Sequence, residues 1–369
     1  ESPHQDHLEV ARRLPMHSRV HIISHSRGGL VGELLCQGRL KRRTPASKGQ
    51  YISSDVIFAE EELATFADNQ RQLELQGLQE LGELLRNKSI QIERFVRVAC
   101  PGRGTVLATE RLEDSISLIC NVLNFIPSQR LQRLSDYLRT VLMAVIAERR
   151  NPATLPGLEA LMPTSPLIRL LNRSSIQLDS DLSIIAGNVK ASSLLGQLKQ
   201  WATNRFFGED NDYVVNTAGM YGGAQRLQGM RFYLDQRDDS SHFSYFRDAQ
   251  VRERILNALH QPDSDTRLRP LYSQATPSQS RSVTKLRPED KTSTLYFLPG
   301  FMGSTLQVNG QAVWLDMATL SWGDFATLQM QQAGVKAEGL LELAYRPLLD
   351  LVDDKHRVVE FAYDWRRSF

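Results

Sequence analysis

The chain has 369 residues, of which 41% are hydrophobic and 23% charged, the composition of a globular protein with room for two or three domains. Its formal net charge of +2 gives no reason to expect a nucleic acid as partner, and no run of about 18 apolar residues predicts a transmembrane segment. Three cysteines without a C-x-x-C spacing, Cys36, Cys100 and Cys120, favour reduced thiols, a cytoplasmic setting and the absence of a zinc site.

A strand–turn–helix unit near the start of the chain carries the most informative motif. The β-branched run at residues 20–23 predicts a strand, and the apolar run at 30–35 predicts the helix after it. Between them residues 24–28 read SHSRG, with small residues two positions before and two positions after Ser26. Small residues there let the strand and the helix pass closely around a sharp turn that exposes a serine hydroxyl. We therefore predict that Ser26 is a catalytic nucleophile on a nucleophile elbow; an ordinary turn serine is the alternative.

The other predicted elements alternate between strands and helices along the chain. Apolar periodicity predicts helices over 8–14, 58–87, 249–259 and 340–351, and strands over 92–99, 182–187, 294–298 and 358–363. Such alternation predicts an α/β fold with a mostly parallel sheet and helices on both of its faces. Residues 104–176 are mostly helical in pattern and fall between two strands, so we expect them to form a cap, or lid, over the site.

A change in composition divides the chain into two parts. Residues 261–293 are dominated by Pro, Ser, Thr and charged residues without an apolar period, which predicts a flexible linker between 1–260 and 294–369. Two arrangements remain open. The chain is either a fragment of a tandem hydrolase, truncated at both ends, or one circularly permuted domain; the start at Glu1 without a methionine favours the fragment. In either case we expect the strands at 294–298 and 358–363 to dock beside the strand at 20–23, because both parts expose an unpaired parallel edge.

Activation of a serine requires a histidine as base and a carboxylate that orients it. The sequence offers them in the order nucleophile, acid, base: Ser26, Asp212 and His242. Asp210 remains an alternative acid. His242 is the histidine that falls between the acid and the helix at 249–259, whereas the side chain of His25, next to the serine, is expected to diverge from it.

Two backbone N–H groups are expected to form the oxyanion hole. One is that of Arg27, the residue after the nucleophile. The second donor normally comes from a loop after an earlier strand, and no such strand precedes Ser26 in this chain. The glycine-rich loop at 299–304 (PGFMGS) has the right character, which makes the Phe301 N–H the expected partner. This chemistry requires no cofactor and no metal.

Several strings in this sequence resemble known hydrolase families. Residues 1–260 resemble a lipase-like bacterial α/β-hydrolase family often encoded with caspase-like CHAT modules, through the strings at 1–3, 25–35, 94–101, 155–163, 211–217 and 242–246. Residues 294–369 resemble the opening part of a lecithin:cholesterol acyltransferase-like α/β-hydrolase, through the strings at 298–304, 313–316 and 363–368. The resemblance implies a lipid-like ester substrate, peripheral contact with a membrane, and a caspase-like partner module.

Three functions therefore stay open. The leading one is a serine ester hydrolase that works through a Ser-His-Asp triad and an acyl-enzyme. The second is an acyltransferase that uses the same triad and passes the acyl group to an alcohol. The third is a catalytically inactive hydrolase-like module that binds a partner.

Overall fold

The computed structural model describes residues 6–67, 71–105, 156–189, 210–271 except 213, 228, 238–241 and 243, then 293–314, 334–367 and 369. Most of the predicted cap at 104–176, most of the predicted linker at 261–293, and Cys120 lie outside these residues. Cys36 and Cys100 lie inside them and are buried free thiols.

The described chain contains both strands and helices, as predicted for an α/β fold. The strands are β1 His17–His25, β2 Leu40–Arg43, β3 Tyr51–Ser53, β4 Ser89–Val98, β5 Ile176–Leu178, β6 Asp181–Gly187, β7 Gln225–Arg226, β8 Met230–Asp235, β9 Arg269–Pro270, β10 Thr294–Leu298, β11 Ser304–Val308, β12 Gln311–Trp314, β13 Val335–Leu340 and β14 Arg357–Glu360. The helices are α1 Asp6–Arg13, α2 Gly28–Leu35, α3 Glu60–Leu63, α4 Gln72–Asn87, α5 Pro156–Glu159, α6 Pro166–Leu171, α7 Ala249–His260 and α8 Glu342–Asp353.

A seven-stranded sheet forms the centre of the molecule, in the order β14-β10-β1-β4-β6-β8-β9. All neighbouring pairs are parallel except β8 with β9. Two smaller sheets, β3-β2-β5-β7 and β12-β11-β13, lie outside it. The prediction of a mixed α/β fold with a mostly parallel sheet is confirmed. The alternation of apolar and polar residues did not predict the two smaller sheets or strand β8. Their strands are short or only half-buried, so they leave little apolar pattern in the sequence.

Strand β1 lies inside this sheet, between β10 and β4, and is buried on both faces from Val20 to His25. Ile22 belongs to the apolar cluster that includes helices α1, α2 and α4, and Ile23 belongs to the cluster that includes α7 and α8. Adjacent side chains of a strand point to opposite faces, so one β-branched run supplies both layers of the core. Helices thus cover both faces of the sheet.

The end of the chain contributes two strands to the same sheet. Strand β10 pairs with β1 in parallel, from Val20 opposite Thr294 to Ser24 opposite Leu298, and β14 pairs with β10. The strand order agrees with the order expected if both parts dock edge to edge. The predicted linker begins with ordered structure, because Leu268 is buried and β9 pairs with β8. Only residues 272–292 of it lie outside the described chain.

The prediction of one long helix over 58–87 is wrong. The structure has the short helix α3, a 3₁₀ turn at Ala64–Phe66, and then α4 from Gln72. The carboxylate of Glu62, in α3, accepts hydrogen bonds from Arg42 Nη1 at 2.6 Å and from the Ala59 N–H at 2.9 Å, and pairs with Arg173 Nε at 2.8 Å. The ion pair between Glu62 and Arg42 joins α3 to strand β2. The segment therefore folds against strand β2.

A histidine without hydrogen-bond partners lies in the middle of strand β1. His21 is 1% exposed, and neither of its ring nitrogens has a partner within the described chain. Burial, reinforced by His356 and Arg94, lowers the pKa of His21 from 6.5 to about 3. The folded state therefore excludes a proton that the unfolded chain accepts. Protonation of His21 in the unfolded chain does not lower the free energy of unfolding above about pH 6.5. As the pH falls from 6.5 toward the folded pKa of about 3, the free energy of unfolding decreases.

We expect the free energy of unfolding of His21→Leu to decrease less in acid than that of the wild-type chain. Between about pH 7 and about pH 5, one histidine with these two pKa values costs about 2 kcal/mol of the free energy of unfolding. Urea unfolding at the two pH values should show a pH-dependent loss smaller by that amount in His21→Leu than in the wild-type chain. His17→Leu, at an exposed histidine of the same strand, is the control and should keep the wild-type loss. An equal loss in His21→Leu and wild type would contradict the assignment.

Candidate active site

Ser26 occupies a strained turn between strand β1 and helix α2. Its φ is 49°, in the left-handed region that a non-glycine residue rarely adopts, and its N–H donates to the carbonyl of Val98 at 2.9 Å. The strand ends at His25 and the helix begins at Gly28, so the backbone reverses around the serine. A strained serine between a strand and a helix is the local geometry of a nucleophile elbow.

Two glycines after Ser26 allow the elbow to pack tightly. A Cβ on Gly28 would collide with the carbonyl oxygens of Leu298 and Pro299, at the end of strand β10. A Cβ on Gly29 would collide with the Sγ of Cys100, in the loop that follows strand β4. The elbow helix thus begins between the loops that leave both neighbours of β1, and only glycine fits there.

The loop at 299–304 passes directly beside the serine. A Cβ on Gly300 would lie 3.0 Å from the Cβ of Ser26 and 3.0 Å from the Nδ1 of His25. Phe301 follows in the same loop and is half-buried, with its ring 5.0 Å from that of Trp365. The backbone expected to supply the second oxyanion donor is therefore next to Ser26, although it comes from the opposite end of the chain.

Aromatic side chains hold this loop in place. Trp314 Nε1 donates to the carbonyl of Met302 at 3.0 Å, and Trp365 Nε1 donates to the carbonyl of Ser304 at 3.1 Å. The hydroxyl of Tyr363 donates to the carbonyl of Pro299. These donors satisfy the carbonyls of a tight turn in which Met302 has a φ of 62°. All three aromatic residues are buried, so the loop is fixed from the core side.

Asp212 is completely buried, and each of its two carboxylate oxygens accepts two hydrogen bonds. Oδ1 accepts the N–H groups of Val214 at 3.1 Å and Val215 at 2.8 Å. Oδ2 accepts from Nδ1 of His242 at 2.9 Å and from the hydroxyl of Tyr245 at 2.9 Å. The His242 N–H also donates to the Asp212 carbonyl at 3.0 Å. The carboxylate therefore fixes the imidazole in the tautomer that carries its proton on Nδ1 and leaves Nε2 as an acceptor.

Tyr245 is a member of this cluster that the sequence analysis missed. It is buried, and burial together with the neighbouring Asp212 raises its pKa well above the ordinary value of 10. It is therefore a neutral phenol that donates to the carboxylate. Its position three residues after His242 carries no sequence signal, because a Tyr in this place is ordinary core composition.

The alternative acid, Asp210, points elsewhere. It is exposed, its Oδ2 accepts from Asn188 Nδ2 at 2.7 Å, and its carbonyl accepts the Thr217 N–H at 2.8 Å. Of the two carboxylates, the one in contact with His242 is that of Asp212.

The expectation that the His25 side chain diverges from the site is wrong. Its ring lies 4.8 Å from the ring of His242, and its Nε2 is 3.0 Å from the His242 carbonyl oxygen. Its Nδ1 is 3.1 Å from the hydroxyl of Tyr345. The His25 side chain therefore lies between Tyr345 and the loop of His242, a position that a spacing argument on a regular strand does not anticipate.

The side chain of Arg27 anchors the end of the chain to the elbow. It is fully buried, its Nη2 donates to the carbonyl of Arg367 at 2.8 Å, and its guanidinium lies 4.2 Å from the ring centre of Phe369 and 5.3 Å from that of Tyr363. Such cation–π contacts are strongest where the cation is desolvated. The backbone of Arg27 follows the serine, so the residue that would bind the oxyanion also ties residues 363–369 to the site.

The described residues contain no group of three or more His, Cys, Asp or Glu arranged to hold a metal ion. None of the helices in the described ranges has the length and apolar character needed to cross a bilayer.

Comparison with known proteins gives a family for the chain. A protein-family model described as "Domain of unknown function (DUF7379)" matches residues 73–260, slightly more than half of the sequence. The chain therefore belongs to this family. The matched range contains Asp212 and His242 and begins after Ser26. Its description assigns no activity.

Solved and curated proteins add little to the family match. The crystal structure of the mature form of the Bacillus licheniformis lipase BlEst2 matches with 11% sequence identity over 62% of this chain and 88% of that chain, at a TM-score of 0.21. At that TM-score the similarity carries no argument about this protein. No curated protein matches the sequence.

We expect Asp212→Asn, and not Asp210→Asn, to change the state of the His242 imidazole. The amide removes the anionic acceptor that holds the proton on Nδ1. In proton NMR of the wild-type chain, the buried Nδ1–H should give a slowly exchanging low-field signal. That signal should persist in Asp210→Asn and vanish in Asp212→Asn. Its loss in Asp210→Asn alone would reverse the assignment of the acid.

Proposed function

We propose that the protein is a serine hydrolase of the α/β-hydrolase type that cleaves carboxylic esters. The observation that carries the proposal is the 2.9 Å hydrogen bond between His242 Nδ1 and Asp212 Oδ2, in a loop that contacts the residue next to the strained Ser26. General-base activation of a hydroxyl requires an oriented histidine, and the loop of His242 contacts His25, the residue before a buried serine on a strained turn. The order of strands around β1, with helices on both faces, is compatible with this fold.

In the proposed reaction, the Ser26 Oγ attacks the ester carbonyl carbon while His242 Nε2 takes its proton. Asp212 keeps Nδ1 protonated and stabilises the imidazolium that forms. The N–H groups of Arg27 and Phe301 bind the oxyanion of the tetrahedral intermediate. Collapse of the intermediate expels the alcohol, which receives the proton from His242, and leaves the acyl group on Ser26. Water then attacks this ester with His242 as base, and the acid leaves as Ser26 recovers its proton.

We further propose that residues 1–271 and 293–369 form one catalytic domain. Support comes from the parallel pairing of β10 with β1 and from the close approach of Gly300 to Ser26. This reading supplies the oxyanion loop that is missing before Ser26 in the sequence. It corresponds to the circularly permuted arrangement and makes a second, separate hydrolase domain unnecessary for the site.

The lipid-like character of the ester rests on the resemblance of the sequence strings alone. The same is true of the peripheral membrane contact and the caspase-like partner, whereas the cap over the site rests on the helical pattern of residues 104–176. These features stay predictions, as does the cytoplasmic setting. The acyl chain and the alcohol are left to the experiment below.

A fluorophosphonate probe and short-chain nitrophenyl esters test the proposal together. We expect the probe to label Ser26, and Ser26→Ala to abolish both labelling and hydrolysis, a loss of at least about 10³-fold because the nucleophile is gone. Ser24→Ala, two residues earlier in the same strand, is the matched control and should keep both signals.

The other outcomes separate the remaining functions. Labelling with product formed only when an alcohol is added would identify an acyltransferase. A correctly folded wild-type chain that neither labels nor hydrolyses any ester of an acyl-length series would identify a catalytically inactive module and would contradict the proposal.

A further inference from the structure

A continuous chain of hydrogen bonds crosses the site behind Ser26. The Gly300 N–H donates to the hydroxyl of Tyr345 at 3.1 Å, and that hydroxyl lies 3.1 Å from Nδ1 of His25. On its other side, Nε2 of His25 lies 3.0 Å from the carbonyl oxygen of His242. This series of hydrogen bonds therefore begins in the proposed oxyanion loop, passes through His25, the residue before the nucleophile, and ends on the backbone of His242, the proposed base.

The direction of each bond follows from its partners. The His242 carbonyl can only accept, so Nε2 of His25 must carry a proton and donate it. Burial, with His242 close by, lowers the pKa of His25 well below 6.5, so the ring is neutral and its Nδ1 has no proton. Nδ1 must accept, and the Tyr345 hydroxyl must donate to it. The oxygen of that hydroxyl then accepts the Gly300 N–H, so that every donor in the chain has one acceptor.

The side chain of Tyr345, at the centre of these hydrogen bonds, is held in place by packing. It lies in the first turns of helix α8, is 2% exposed, and its ring packs 4.9 Å from that of Phe297 and 5.5 Å from that of Phe246. A Cβ on Gly303 would collide with its hydroxyl, so the oxyanion loop closes around the oxygen atom. Burial raises the pKa of Tyr345, which keeps the phenol proton in place for donation to His25.

We propose that Tyr345 and His25 are positioning residues that set the distance between the oxyanion loop and the general base. The inference rests on the proposed esterase function. Neither residue touches the reacting atoms: Tyr345 holds the backbone before Phe301, and His25 holds the backbone of His242. The loop at 299–304 and His242 are more than 50 residues apart in the sequence, so no short covalent connection fixes their separation. An error of about 1 Å in such a separation can cost about 100-fold in rate.

The two ends of the chain of hydrogen bonds can be broken separately. Tyr345→Phe removes the hydroxyl and keeps the aromatic packing, which frees the Gly300 N–H and leaves His25 Nδ1 without a donor. His25→Ala removes the contact with the His242 carbonyl, and His25→Gln restores a donor close to the position of Nε2. Tyr296→Phe is the matched control, because Tyr296 is buried in the adjacent strand β10 and its hydroxyl has no hydrogen-bond partner among the residues described.

We expect Tyr345→Phe to lower kcat for ester hydrolysis about 10- to 100-fold with KM changed less than about threefold, because binding groups stay and transition-state geometry is lost. His25→Ala should lose at least as much, and His25→Gln should recover part of it. Tyr296→Phe should stay within about twofold of wild type. A wild-type kcat in Tyr345→Phe, or a loss fully matched by Tyr296→Phe, would overturn the inference.

Histidine ¹⁵N NMR at neutral pH tests the same chain of bonds without any activity. We expect His25, assigned by its loss in His25→Gln, to be neutral with its proton on Nε2, and its Nδ1 signal to shift in Tyr345→Phe and not in Tyr296→Phe. A proton on Nδ1, or no shift in Tyr345→Phe, would overturn the inference. If the wild-type chain proves inactive, the esterase proposal fails, and this spectrum still decides whether the hydrogen-bonded link exists.

Discussion

The parallel pairing of β10 with β1 is the contact on which the rest of the site depends. Ser24 is opposite Leu298 in this pair, so the two strands end side by side and their following loops meet. One loop carries Ser26 and the other carries Gly300 and Phe301. A parallel sheet gathers the carboxyl ends of its strands at one edge, and that edge is where an open α/β sheet builds its functional loops. Residues 274 positions apart, such as Val20 and Thr294, thus become neighbours through five backbone pairs.

The close approach of these loops requires particular residues on both sides. Gly28 and Gly300 provide room where any side chain would collide with the opposite loop. Arg27 then fills the space behind the elbow with a cation between the rings of Tyr363 and Phe369. On the other side Tyr345 and His25 continue the contact to the loop of His242. The strained φ of Ser26 lies within these close contacts, which is the kind of surrounding in which such strain persists.

The sequence allowed the α/β class and the main parallel strands to be predicted, since β-branched runs such as residues 20–23 are distinctive in a strand buried on both faces. The order Ser26, Asp212, His242 is also readable from the sequence, and the last two side chains lie in contact, while their catalytic roles stay predictions. Tyr245, His25 and Tyr345 could not be predicted, because their contacts depend on side-chain direction at irregular backbone. The interruption between α3 and α4 likewise has no counterpart in the apolar pattern of residues 58–87.

We propose that both parts of the chain build one site, and the decisive test of this arrangement is to express residues 1–271 and 293–369 as two separate chains. We expect that neither chain alone protects the amides of strand β1 from hydrogen exchange or reacts with a fluorophosphonate. Mixed together, the two chains should form a one-to-one complex in which Ser26 reacts. Cooperative folding of 1–271 alone, with Ser26 labelled at the rate of the intact chain, would contradict it.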